Sequence, residues 1–83
     1  MRASPIKQER TGEYVDDAAV STRIRAQLLN EPDLSSSEIN VETFKGVVQL
    51  SGFVQHKSDI AKAIEISKAT QGVKSVKNDM RLR

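Results

Sequence analysis

Apolar positions along the chain change their period, and each change marks an element. Val20, Ile24 and Leu28 recur every four residues and make one stripe of a helix. Asp16 stands at its start, where an aspartate caps the helix by accepting from the free N–H groups of the first turn. Asp17 follows where the helix dipole favours negative charge, and Val15 with Val20 fits a hydrophobic staple across the cap. Pro32 pushes Glu31 off helical angles, so the helix ends near Asn30. Asp33 to Ser37 reads as a polar loop with Leu34 its one apolar position.

The period then falls to two. Ile39, Val41 and Thr43 alternate with Glu38, Asn40, Glu42 and Phe44; Lys45-Gly46 intervenes, and Val47 to Val54 follows. Strand, two-residue turn with glycine, strand is a β-hairpin. Pairing Phe44 with Val47 sets Thr43 against Val48, Val41 against Leu50 and Ile39 against Gly52 on one apolar face. Glu42 with Gln49 and Asn40 with Ser51 fall on the other, and a slip of one residue would destroy this sorting. Gly52 has no side chain on the core face, which predicts close approach of a helix there.

A second helix is predicted with Ser58 as N-cap, Asp59 in its first turn and Gly72 as the residue that closes it. Ile60, Ala63, Ile64 and Ile66 make its apolar side, with Ser67 and Thr70 at the margins. In a last strand, Ser75 to Leu82, Val76, Met80 and Leu82 point one way with Asn78 the polar exception. The order αββαβ makes the second helix a right-handed crossover between strands two and three. Strand two is the most apolar and belongs in the centre. The expected fold is α+β: a three-stranded mixed sheet of order 1-2-3, preferred over the antiparallel order 2-1-3, with both helices packed on one face. Phe44, Val47 and Phe53 would lie on the open face.

Length allows one domain: the chain has 83 residues. Residues 1–12 are polar, carry Pro5 and Gly12 and show no periodicity, so they read as a tail or linker before a domain at 13–83. Aromatics are few (Tyr14, Phe44, Phe53), which leaves the core to Val, Ile, Leu and Ala. The absence of cysteine excludes disulfides, thiolate metal sites and cysteine nucleophiles. No apolar run is long enough to span a membrane, and none resembles a signal-peptide core. If the natural protein is exported, its leader has been removed.

The net charge of +2 conceals an asymmetry. Residues 13–44 carry seven carboxylates against Arg23 and Arg25, whereas residues 57–83 carry seven bases against Asp59, Glu65 and Asp79. The basic half can meet an anionic surface, although its bases are spread singly.

Catalytic chemistry finds no foothold. His56, the one histidine, has no second histidine or cysteine to complete a metal site. Asp16 and Asp17 point in different directions at a helix start and do not share a proton. The serines lack a histidine partner, and Gly46 with Gly52 makes no phosphate-binding G-x-G-x-x-G. No cofactor and no metal is expected. Nor is nucleic acid: the chain has no G-x-x-G loop, and Val47, Glu38 and Glu42 read as an apolar and acidic face.

Residues 16 to 82 resemble a BON domain. The resemblance rests on Asp16-Asp17, Ile39-Asn40-Val41 leading into Lys45-Gly46-Val47-Val48-Gln49-Leu50-Ser51-Gly52, Ala63, and Gly72-Val73-Lys74-Ser75-Val76-Lys77-Asn78, all in order. It implies the αββαβ fold, a bacterial periplasmic or outer-membrane setting, sometimes as a lipoprotein, and an association with osmotic and envelope stress. It also implies contact with phospholipid or another envelope component, and it carries over no catalytic residue. Arg23, Arg25 and Leu29 on the first helix, with Lys62 and Lys68 on the second, are the candidates for an anionic phospholipid surface. The alternative is a protein–protein module acting through Phe44, Val47 and Phe53, or through an edge strand.

Overall fold

Two helices lie across one face of a three-stranded sheet in the computed structural model of the chain, which describes residues 16–34 and 37–83. Helix α1 spans Asp17–Leu29, β1 Glu38–Phe44, β2 Val47–Val54, α2 Lys57–Ala69 and β3 Ser75–Leu82. Strand order is β1-β2-β3, with β1 antiparallel and β3 parallel to the central strand. The mixed order 1-2-3 therefore holds, and α2 is the crossover that a parallel pair requires.

The hairpin register is the one the alternation demands, from Phe44 opposite Val47 to Ile39 opposite Gly52. Lys45 (φ 51) and Gly46 (φ 83) both have positive φ, the geometry whose twist matches a two-residue hairpin. The core is aliphatic: Ile24, Val48, Leu50 and Ala63 are fully buried, with Val20, Leu28, Val41, Val54 and Met80 around them.

Asp16 caps α1, its carboxylate accepting from the N–H groups of Ala18 and Ala19. The proposed staple partner Val15 lies outside the described residues. After Asn30 the chain makes a single 3₁₀ turn, Pro32–Leu34, which buries Leu34 beneath the end of α1. The expected loop thus has structure, because its one apolar residue belongs to the core.

Four details of the sequence reading are corrected. His56, not Ser58, is the N-cap of α2; the Asp59 carboxylate accepts from the His56 backbone N–H at 3.2 Å. The most buried residues of α2 are Asp59, Ala63 and Ser67, with Ile60, Ile64 and Ile66 only half-buried, so Ser67 lies at the centre of the packed stripe and not at its margin. Its hydroxyl is tolerated there because it donates to the Ala63 carbonyl at 2.8 Å. The second helix ends at Ala69 with Thr70 as C-cap, and Gly72 (φ 97) serves a turn beyond it, closed by Val73 N–H to the Thr70 carbonyl. Finally, what approaches Gly52 is the neighbouring strand and no helix: a Cβ there would sit 1.8 Å from the Glu38 carbonyl oxygen.

Candidate functional site

Helix α1 is tied to the sheet by polar contacts that also fix its exposed side chains. Ser21 and Thr43 share a hydroxyl–hydroxyl hydrogen bond of 2.7 Å. The Asp17 carboxylate accepts from the backbone N–H of Lys45 at 2.6 Å and of Gly46 at 3.1 Å, so the start of the helix holds the hairpin turn. Gln27 donates to Thr70 Oγ1 at 2.9 Å and spans the seam between α1 and the end of α2.

These contacts divide the five candidates for an anionic surface. Arg25 turns toward the sheet, where its Nη2 donates to the Val41 carbonyl on the outer edge of β1 at 2.9 Å. Lys62 Nζ stands 3.3 Å from Glu31 and 3.5 Å from Asp33. The hydrogen bond that Lys62 donates to Glu31, the charge of Glu31 and that of Asp33 together raise the lysine above its ordinary pKa. Both cations are already partnered. Arg23 and Lys68 remain exposed, with no ion-pair partner among the described residues. Arg23 lies one helical turn before Gln27 and on its side, toward the seam with the C-terminal end of α2, whereas Lys68 lies on the other flank of α2 with Ala61 and Glu65.

Leu29 is 85% exposed. It stands on the rim of a small notch of about 160 Å³ between α1, the 3₁₀ turn and β1, lined by Arg25, Leu28, Leu29, Leu34, Ser37 and Ile39. The Ser37 hydroxyl is buried without a hydrogen-bond partner among the described residues. From Ala18 to Asn30 the chain carries no carboxylate.

On the opposite side of the domain, the open sheet face shows Phe44 (72% exposed), Phe53 (44%) and half-buried Val47. They do not form one patch. Phe53 is six residues from Val47 along β2, about 20 Å at strand rise. Lys45 Nζ lies over the Phe44 ring at 5.5 Å, and the Arg83 guanidinium over Phe53 at 5.6 Å while it bonds Glu38 at 2.8 Å. The sequence reading of this face as apolar and acidic is also corrected, because β3 and the residue after it bring Lys77, Arg81 and Arg83 beside Glu38, Glu42 and Asp79. No single-sign track runs across it.

His56 is a surface residue, 3.5 Å from the Asp59 carboxylate. Among the described residues no three His, Asp or Glu side chains gather as a metal site, and no helix is long and apolar enough to cross a membrane.

The BON domain model matches residues 16–83, which is every residue from the α1 cap to the end of β3 and the arginine beyond. The chain belongs to the BON domain family. Osmotically-inducible protein Y of Escherichia coli (strain K12) is a relative, 44% identical over 70 residues; the match covers 84% of this chain and 35% of the relative, so the chain spans about a third of that protein's length. Two of the motifs that carried the resemblance now have local causes. The Asp16-Asp17 pair of this BON domain is one helix cap and one clamp on the hairpin turn, and its Leu50-Ser51-Gly52 run ends on a glycine whose Cβ would collide with the backbone of β1. The clamp was missed in the sequence because it joins residues 28 positions apart.

Proposed function

We propose that this BON domain is a non-catalytic binding module of the bacterial cell envelope that lays its helical layer on anionic phospholipid. The observation that carries this reading is the outer surface of α1: no carboxylate between Ala18 and Asn30, an exposed Arg23, and Leu29 held out to solvent beside an apolar notch. Lys68 is a further exposed cation of the helical layer, on the flank of α2 that it shares with Glu65. Arg25 and Lys62 leave the contact set, since each already has a partner in the fold. The relationship to an osmotically inducible protein supports a role in osmotic or envelope stress, and with it a periplasmic site of action.

Two cations at about 1 kcal/mol each and one leucine entering the interface make a weak, salt-sensitive attachment. Such an attachment is useful beside a second anchor, either a lipid-modified leader or a further domain of a longer protein. The test is co-sedimentation with zwitterionic and with anionic phospholipid vesicles, at low and at physiological salt. Binding to anionic vesicles alone, weakened by salt, is expected. Failure to bind either vesicle at low salt overturns the reading.

A further inference from the structure

We propose that the open sheet face is a docking surface for a second copy of this chain, related by a twofold axis parallel to β2. The register carries the argument. Across β1, β2 and β3 the outward side chains fall in rows: Phe44–Val47–Ser75, Glu42–Gln49–Lys77, Asn40–Ser51–Asp79 and Glu38–Phe53–Arg81. Acids lie on β1 and bases on β3, with Asp79 opposite Asn40 as the one acid on the basic strand. The Glu42–Lys77 and Glu38–Arg81 rows therefore share one polarity, acid on β1 and base on β3.

Two twofold arrangements bring such sheets face to face with their strands aligned. An axis parallel to β2 sets β1 of each copy over β3 of the other at the same height. Glu42 then meets Lys77, Glu38 meets Arg81, the Asn40 amide meets the Asp79 carboxylate, and the Phe44 ring lies over the small Ser75. An axis across the strands through the Asn40–Asp79 row sets each strand over itself. Glu42 would meet Glu38, Lys77 would meet Arg81 and Asp79 would meet Asp79, a like-charge contact at every step. Of the two, the first is self-complementary.

The Glu38 row is already bridged within one copy by Arg83. Glu42 and Lys77 have no ion-pair partner among the described residues, so their row is the one free to act between copies. Three strands about 4.8 Å apart and seven or eight residues long present about 400 Å² of face, half of the roughly 800 Å² per partner of a standard stable complex. The dimer is consequently weak, reached at high concentration or when two copies are held near each other.

Sedimentation equilibrium of the full chain at low salt, up to millimolar concentration, tests the proposal. The expected result is reversible dimerisation, weakened at least fivefold by E42K alone and by K77E alone. Mixing the two variants in equal amounts should restore association, as should the double variant E42K/K77E, since in both cases opposite charges again face each other. Circular dichroism on each variant confirms that these exposed changes leave the fold intact. A chain that stays monomeric overturns the proposal. So does association indifferent to both reversals, which places the contact at a strand edge, or a loss that neither swap restores.

Discussion

Asp17 Oδ2 stands 2.6 Å from the Lys45 backbone nitrogen, and Oδ1 of the same carboxylate 3.1 Å from that of Gly46. One side chain thus satisfies both N–H groups of the hairpin turn and fixes the entry of α1 against it. Hydrogen bonds to a charged acceptor contribute about 1.5–3 kcal/mol. Asp17→Ala should therefore lose about 2–3 kcal/mol in urea unfolding. Asp16→Ala, which removes only a cap, should lose about 1 kcal/mol. Equal losses would show that the turn clamp adds nothing beyond capping.

Gly52 and Gly72 separate two kinds of glycine. At Gly52 (φ 120) a methyl group would collide with backbone of the neighbouring strand; at Gly72 (φ 97) it would meet only the tip of Val20, 3.1 Å away. Gly72→Ala should cost about 1–2 kcal/mol for its backbone angle. Gly52→Ala should exceed about 3 kcal/mol, because the sheet must part to admit it. Thermal melts of the two variants give the order.

Arg25 tests the division of the basic residues. Its guanidinium is spent on the Val41 carbonyl, so Arg25→Ala should lower stability by about 1–2 kcal/mol and leave anionic-vesicle binding unchanged. Arg23→Glu with Lys68→Glu should do the reverse, with unfolding unchanged within about 0.5 kcal/mol and sedimentation with vesicles lost. Vesicle binding that tracks Arg25 and ignores Arg23 would refute the assignment.

Lys62 carries a pH signature. Its raised pKa means that its ion pairs with Glu31 and Asp33 favour the folded state fully below the ordinary lysine value of 10.5. That contribution is lost as pH rises through the raised value in the native state. The effect is small because the group is exposed, and salt screens it. Lys62→Gln should flatten the alkaline fall in melting temperature seen in the parent at low salt, and a parallel fall in both proteins would count against the pairing.

Most of the fold was legible because its elements are specified locally. Alternation from Glu38 to Val54 fixed the hairpin register residue by residue, and Asp16 marked the start of α1 by the chemistry of capping. What escaped depended on contacts between distant residues. A buried Ser67 looks marginal by polarity until its hydroxyl is seen bonded to the carbonyl one turn back. Arg23 and Arg25 look equivalent on paper, yet only Arg25 reaches the edge of β1. The mixed charge of the open face appears only once the parallel register lays β3 beside β2.

Central strand β2 has two neighbours of very different accessibility to a folding chain. The first follows through Lys45-Gly46, a closure on the microsecond scale, whereas the second arrives only after residues 55–74 have looped over as the crossover. Parallel pairing across such a loop is slow, since closure entropy must be spent before its contacts form. During that interval the most apolar strand of the molecule, Val47–Val54, presents a bare edge. Misassembly in a crowded compartment is therefore most probable before β3 docks, and conditions that delay docking will reveal themselves as aggregation before any loss of native stability.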